Sequence, residues 1–158
     1  MMKIFSLNCR GLGNPETVGE LHNFVRKEGP TIVFLMETRL QVRDLEFLRV
    51  RLGMGSCFGV DRQGYGGVLA LLWDSSLSIH VRSFSSHHID AEVFPSDGLG
   101  WRLTGFMDIQ RQCCELVLGL FCVDYMKARI CHGLSWVISM KLLRWMSNGV
   151  DYIVILFK

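Results

Sequence analysis

The chain has 158 residues, of which 49% are hydrophobic and 20% charged, with a formal net charge of +2. That length suits one domain with a sizeable core, the apolar content excludes a disordered chain, and no apolar run approaches the roughly 20 residues needed to cross a bilayer. The charge is compatible with a polyanionic partner but too small to argue for nucleic acid by itself. The opening Met1-Met2-Lys3-Ile4-Phe5-Ser6-Leu7 turns polar too quickly for a secretory signal, so the expectation is an intracellular, nuclear or cytoplasmic, reducing compartment in which thiols stay free.

The first elements are written plainly in the sequence. Lys3 to Cys9 reads as a short strand built on Ile4, Phe5 and Leu7. Asn14-Pro15-Glu16 starts a helix, with Asn as N-cap, Pro at the first helical position and an acid in the first turn. Val18, Leu21 and Val25 then recur at helical spacing until Gly29-Pro30 ends it. Thr31 to Met36 is a continuous, partly β-branched run of the kind found in buried strands. Leu45, Leu48 and Leu52 define a second amphipathic helix, closed by Gly53.

Five short strands follow, over 56–60, 66–73, 77–84, 89–94 and 101–106. The order of strand, helix, strand, helix and then several strands predicts an α/β fold of packed sheets with helices outside. After Phe106 the pattern changes. Gln110-Arg111-Gln112-Cys113-Cys114 has no clear period, Ser135 to Trp145 allows a helix, and the chain closes on an apolar run from Tyr152 to Phe157.

Two places can carry chemistry. Ser6-Leu7-Asn8-Cys9-Arg10-Gly11-Leu12-Gly13 puts a polar group where a strand gives way to a glycine-rich loop, and Met36-Glu37-Thr38 puts a carboxylate at the end of a buried strand. Alone, the first also reads as a polar strand end capping the helix behind it, and the second more readily as an exposed strand terminus than as a metal ligand. His87-His88-Ile89-Asp90 invites a catalytic or zinc reading, but adjacent residues of one strand face opposite sides. Cys113, Cys114, Cys122, Cys131 and His132 lack the paired spacing of a structural zinc site.

Taken together, the stretch from Lys3 to Leu40 resembles the opening of the endonuclease/exonuclease/phosphatase superfamily, and within it the endonuclease domain of plant-type non-LTR (LINE-like) retrotransposons. That family reads SWNCRGLG, a helix, then PDIVFLxETK; this chain reads SLNCRGLGNPETV and PTIVFLMETRL. The similarity continues through Gly66-Gly67-Val68-Leu69-Ala70-Leu71-Leu72-Trp73, Ser86-His87-His88-Ile89-Asp90 and Trp101-Arg102-Leu103-Thr104-Gly105-Phe106. It implies a DNase I-like fold: the N-terminal half of a two-sheet β-sandwich flanked by helices, incomplete here. It implies a site in which Glu37 holds Mg²⁺ and Asn8 helps position the metal and the scissile phosphate of DNA, with no small-molecule cofactor and no membrane. Leu7 replaces the family's Trp beside that site.

The resemblance assigns 1–106 to the N-terminal part of such a domain and leaves 107–158 as an out-of-family tail. The family continues with YGxP, then PWxxxGDFNEI and SDH, none of which the tail contains. Shifted by one base, however, the codons of Met107-Asp108 force glycine, and those of Phe106 and of Ile109-Gln110 permit tyrosine and proline, giving YGxP. Trp136-Val137 and Met140-Lys141 likewise force glycine and glutamate, with Asp, Phe and Asn permitted between them, and Cys131-His132-Gly133 permits Pro-Trp upstream. The expectation is a frameshift near the Phe106 codon, a decayed endonuclease that cannot cut, and sheet edges left unpaired. The rival readings are an active superfamily phosphodiesterase with a DNA-repair or phosphatase substrate, and a non-catalytic domain kept for nucleic-acid or protein binding.

Overall fold

The structure is a computed structural model; it describes residues 2–61, 67–96, 98–108, 113–120, 139–145 and 150–156. Its elements run β1 (Lys3–Asn8), α1 (Pro15–Glu28), β2 (Ile32–Met36), a 3₁₀ turn (Val42–Asp44), α2 (Leu45–Leu52), β3 (Ser56–Asp61) and β4 (Val68–Trp73). Then follow β5 (Leu77–Ser85), β6 (His88–Pro95), β7 (Trp101–Asp108), β8 (Cys113–Leu120), β9 (Ser139–Trp145) and β10 (Val150–Leu156). They form two sheets, β3-β4-β2-β1-β10-β9 and β5-β6-β7-β8. The α/β class and the two-sheet sandwich with helices outside are as the element order predicts. Gly66, which belongs to the predicted fourth strand, lies outside the described residues.

Local chemistry explains the helices. Asn14 has an extended backbone and its side-chain oxygen accepts from the Glu16 N–H at 3.0 Å, while Gly29 closes α1 with its N–H on the Val25 carbonyl. Val18, Leu21, Phe24 and Val25 form the buried stripe of α1, and Leu45, Leu48 and Leu52 that of α2. No described helix is long and apolar enough to cross a membrane.

Strand alternation sorts the core into two layers. Phe5, Leu7, Val33, Leu35, Val68, Ala70 and Leu72 meet the two helices. Ile4, Ile32, Phe34, Met36, Leu69 and Leu71 face the second sheet and meet Ile89, Ala91, Val93, Trp101 and Leu103. Gly105 on β7 leaves room for the Phe34 ring, since a Cβ there would stand 2.5 Å from it.

Three expectations are corrected. The helix allowed over Ser135 to Trp145 is, from Ser139 onward, the strand β9; residues 135–138 lie outside the described residues. Its backbone finds a complete antiparallel partner in β10, from Ser139 opposite Leu156 to Trp145 opposite Val150, and this strand pairing overrides local helical spacing. The sheet edges expected to be unpaired are occupied: β10 runs antiparallel to β1, with Lys3 opposite Leu156 and Leu7 opposite Tyr152, and β8 pairs with β7. His87 and His88 do not share a strand, because His87 sits in the β5–β6 turn and β6 begins at His88.

Candidate functional site

β1 and β2 are parallel neighbours, so their carboxyl ends finish side by side, with Asn8 opposite Met36. Glu37 is the next residue. The two side chains singled out from distant parts of the sequence therefore stand on adjoining strand ends, the usual place for a ligand in a sheet containing parallel strands. By alternation Asn8 shares the face of Ile4 and Ser6, toward the second sheet. It is 6% exposed, and its Oδ1 accepts from the Arg10 N–H at 3.2 Å. Glu37 is half-buried.

The backbone around these residues is strained. Among the described residues, three non-glycine residues have a left-handed backbone: Arg10 (φ 48), Glu37 (φ 49) and Arg39 (φ 55). All three lie in the two loops leaving β1 and β2. Each such conformation costs on the order of 1–3 kcal/mol and persists only where its surroundings over-determine it. Here the surroundings do. Cys9 N–H donates to the Met36 carbonyl at 2.9 Å and Leu12 N–H to the Thr38 carbonyl at 2.7 Å, lacing one loop to the other.

The fully buried Thr38 hydroxyl donates to the Val68 carbonyl and accepts from the Val68 N–H, both at 3.0 Å, and also from the Leu40 N–H at 3.3 Å. Gly67 (φ 71) presses against the same loop: a Cβ there would stand 2.2 Å from the Arg39 backbone nitrogen. The left-handed turn at Glu37 breaks the two-residue alternation of β2, so strand parity does not set the direction of its carboxylate.

The donor chemistry suits a hard cation. Glu37 offers carboxylate oxygens and Asn8 an amide oxygen, both hard ligands. Among the described residues, no three His, Cys, Asp or Glu side chains gather as a metal cluster. A cation held here would draw its remaining ligands from water and phosphate, the ordinary situation for Mg²⁺.

The other singled-out groups lie elsewhere. The His88 ring has the Ser85 Oγ 2.6 Å from Nδ1 and the Ser83 Oγ 3.4 Å from Nε2, and it stacks on Phe106. Asp90 is 3% exposed and receives the Arg102 Nε at 2.8 Å, the Arg102 Nη2 at 2.6 Å and the Thr104 hydroxyl at 2.8 Å. Arg102 above all, with Thr104 and then the charge of His88 adding to it, holds the Asp90 carboxyl below its ordinary range, against the opposing pull of burial. That triad is a cross-strand clasp on the second sheet.

Cys9 is buried behind the site, while Cys113 and Cys114 open β8; Cys122, Cys131 and His132 lie outside the described residues. Sequence reasoning passed over Arg10, Arg39, Thr38 and Gly67 as participants. The available signal was their position immediately beside the two polar motifs.

Several solved structures are similar to this chain, two of which follow. One is the endonuclease/exonuclease/phosphatase from Bacteroides vulgatus, with a TM-score of 0.41 and 15% identity over 75% of this chain and 51% of that one. The other is the AP endonuclease LMAP from Leishmania major, with a TM-score of 0.38 and 16% identity over 76% of this chain and 40% of that one. The chain thus spans about half the length of the first and less of the second. No family model matches the chain, and no curated protein matches it.

Proposed function

We propose that residues 1–106 are the front part of a Mg²⁺-dependent phosphodiesterase domain of the endonuclease/exonuclease/phosphatase superfamily, of the kind found in LINE-like retrotransposons. The observation that carries this reading is the position of Asn8, opposite Met36, and of Glu37, the next residue, at adjoining parallel strand ends that lead into loops with three left-handed residues. Glu37 and Asn8 would hold the metal, and the Asn8 amide would orient a phosphate oxygen of DNA. Mg²⁺, when bound, neutralises phosphate charge and stabilises the leaving oxygen. The Arg10 N–H fixes the Asn8 amide, so that group is already oriented before substrate arrives.

In this reading the chain does not cut. Residues 107–158 do not contain GDFN, the motif that in the family orients the nucleophile and contacts the phosphate. They are a frameshift product of the codons that hide YGxP and GDFNE. Strand pairing by such a tail is physically ordinary, because the ladder bonds of β8, β9 and β10 are made by main-chain groups that every non-proline residue carries. Catalysis depends on particular side chains at particular positions, and an out-of-frame tail does not supply them.

The test is plasmid nicking by the purified chain in Mg²⁺, together with the coding sequence around codon 106. No metal-dependent nicking, and an intact alternative frame in the DNA, are expected. Strand scission near the rate of a complete relative, abolished by Glu37→Ala, overturns the claim of inactivity and supports the active-phosphodiesterase rival. A coding sequence whose other frame lacks the hidden motifs overturns the frameshift.

A further inference from the structure

The helix layer carries a groove well away from the Asn8–Glu37 site. It lies where the carboxyl ends of α1 and α2 come together, beside Thr31 before β2 and Asp74 after β4, and its volume is about 700 Å³. Glu37 follows the opposite end of β2, roughly 20 Å away at about 3.3 Å per strand residue.

Both helices present the same pattern there. On α1, His22, Val25 and Arg26 stand at positions i, i+3 and i+4, and on α2 Phe47, Val50 and Arg51 repeat that spacing, which puts each set on one helix face. All but Phe47 line the groove, and Phe47 extends its edge by one turn. Val50 is 63% exposed and Phe47 67%. Arg26 and Arg51 are exposed as well, and neither forms an ion pair or a side-chain hydrogen bond among the described residues. Asp74, the acid among the described lining residues, is engaged by its own turn: its Oδ1 accepts from the Ser76 N–H at 2.9 Å.

A cation in the last turn of a helix is favoured by the helix dipole whatever it faces, so the two arginines alone carry nothing. The dipole does not account for a valine and a phenylalanine left in water beside them. Adjacent exposed apolar side chains with a charged rim mark a surface that another molecule covers.

We propose that this groove docks an acidic segment of a partner protein, which seats an apolar side chain against Val50 and Phe47 and sets its carboxylates on Arg26 and Arg51. Charge complementarity selects the acid, because the lining offers two guanidiniums and His22 against one carboxylate already engaged. Guanidinium grips carboxylate and phosphate alike, and the apolar edge decides between them. A peptide has side chains to bury there, whereas the phosphate-lined surface of a duplex has none. None of these residues belongs to the Asn8–Glu37 site, so the inference stands apart from the phosphodiesterase reading.

The experiment follows fluorescence anisotropy of short labelled peptides, in which Asp and Glu are interleaved with Leu and Phe, on titration with the full chain in EDTA. Arg26→Gln/Arg51→Gln is expected to weaken binding about tenfold, the worth of two exposed ion pairs. Val50→Ser, which keeps both charges, weakens it by a similar factor. Arg43→Gln/Arg82→Gln removes the same charge outside the groove and leaves binding unchanged. The same peptides with Asn and Gln in place of their acids bind the wild-type chain about tenfold more weakly, a comparison that needs no variant to fold.

Absence of binding by the acidic peptides overturns the proposal, as does equal binding of the neutral ones. An equal loss on removing Arg43 and Arg82 also overturns it, by showing diffuse attraction to net charge. So does a DNA duplex whose binding depends on Arg26 and Arg51 when that of the peptides does not. A chain that sediments as a dimer, and as a monomer when it carries Val50→Ser, would show the groove filled by a second copy instead.

Discussion

The central strands β1 and β2 serve two cores of different character. On the helix side, Phe5, Leu7, Val33 and Leu35 join one apolar cluster with residues of α1 and α2, with Phe5 stacked on Phe24 at 4.6 Å between ring centroids. On the sandwich side the same strand carries Ile4, then Ser6, then Asn8, passing from apolar to polar along three successive inward positions. Ser6 is wholly buried, and its hydroxyl has no hydrogen-bond partner among the described residues. One face of the sheet is closed by the helices. The other opens toward the strand ends where the strained loops lie, and there polar groups are buried despite their desolvation cost.

Four substitutions test this division, beginning with the largest expected effect. Phe34 is the largest fully buried side chain in the layer between the two sheets, and Phe34→Ala should destabilise the chain by about 3–5 kcal/mol, read as a fall in the urea midpoint. A loss under about 1 kcal/mol would mean that the sandwich core is not packed as described. Gly67→Ala drives a methyl group into the Arg39 backbone at a left-handed position and should cost about 1–3 kcal/mol. If instead it is neutral, the loop is free to move and the strain is not imposed by its neighbours.

The Asp90 clasp gives a pH signature of similar size. Arg102 and Thr104 favour the ionised carboxylate, so the folded-state pKa lies below that of the unfolded chain. This stabilisation is complete above the unfolded value of about 3.9 and disappears as pH falls through the folded one. Asp90→Ala should therefore cost about 1–3 kcal/mol at neutral pH and converge on the wild type in acid. Parallel stability curves from neutral pH into acid would show that the carboxylate charge does not matter. The smallest effect is a gain: Ser6→Ala removes an unsatisfied hydroxyl and should raise stability by about 1 kcal/mol or less. A loss would reveal a partner for the hydroxyl and weaken the contrast between the two faces.

Legibility follows the range of the interactions. The ends of α1 are set by Asn14, Pro15 and Gly29 acting on their own neighbours, and the bounds expected from sequence lie close to those observed. β2 is equally local, since five consecutive buried apolar residues mark it without reference to any partner. The tail was read least well. A helix over Ser135 to Trp145 is compatible with its side-chain spacing, and only the antiparallel partner supplied by β10 makes that segment a strand from Ser139 onward. The same holds for the edge of β1, which the sequence leaves open and β10 fills.

At the site, the resemblance singled out Asn8 and Glu37, and the parallel register places them on adjoining strand ends. Nothing local connects Gly11 or Gly67 to Arg39; those relations exist only once two loops and the start of β4 have been brought together.

The sequence by itself determined the helix limits, the apolar character of each strand and the polar residues at two strand ends, because capping, periodicity and turn chemistry act within a few residues. Sheet order, the Phe34–Gly105 fit, the left-handed loop backbones and the seating of Arg39 against Gly11 and Gly67 were decided by tertiary structure alone. Their energies come from contacts between segments tens of residues apart, and no local pattern encodes which distant backbone will supply the missing partner.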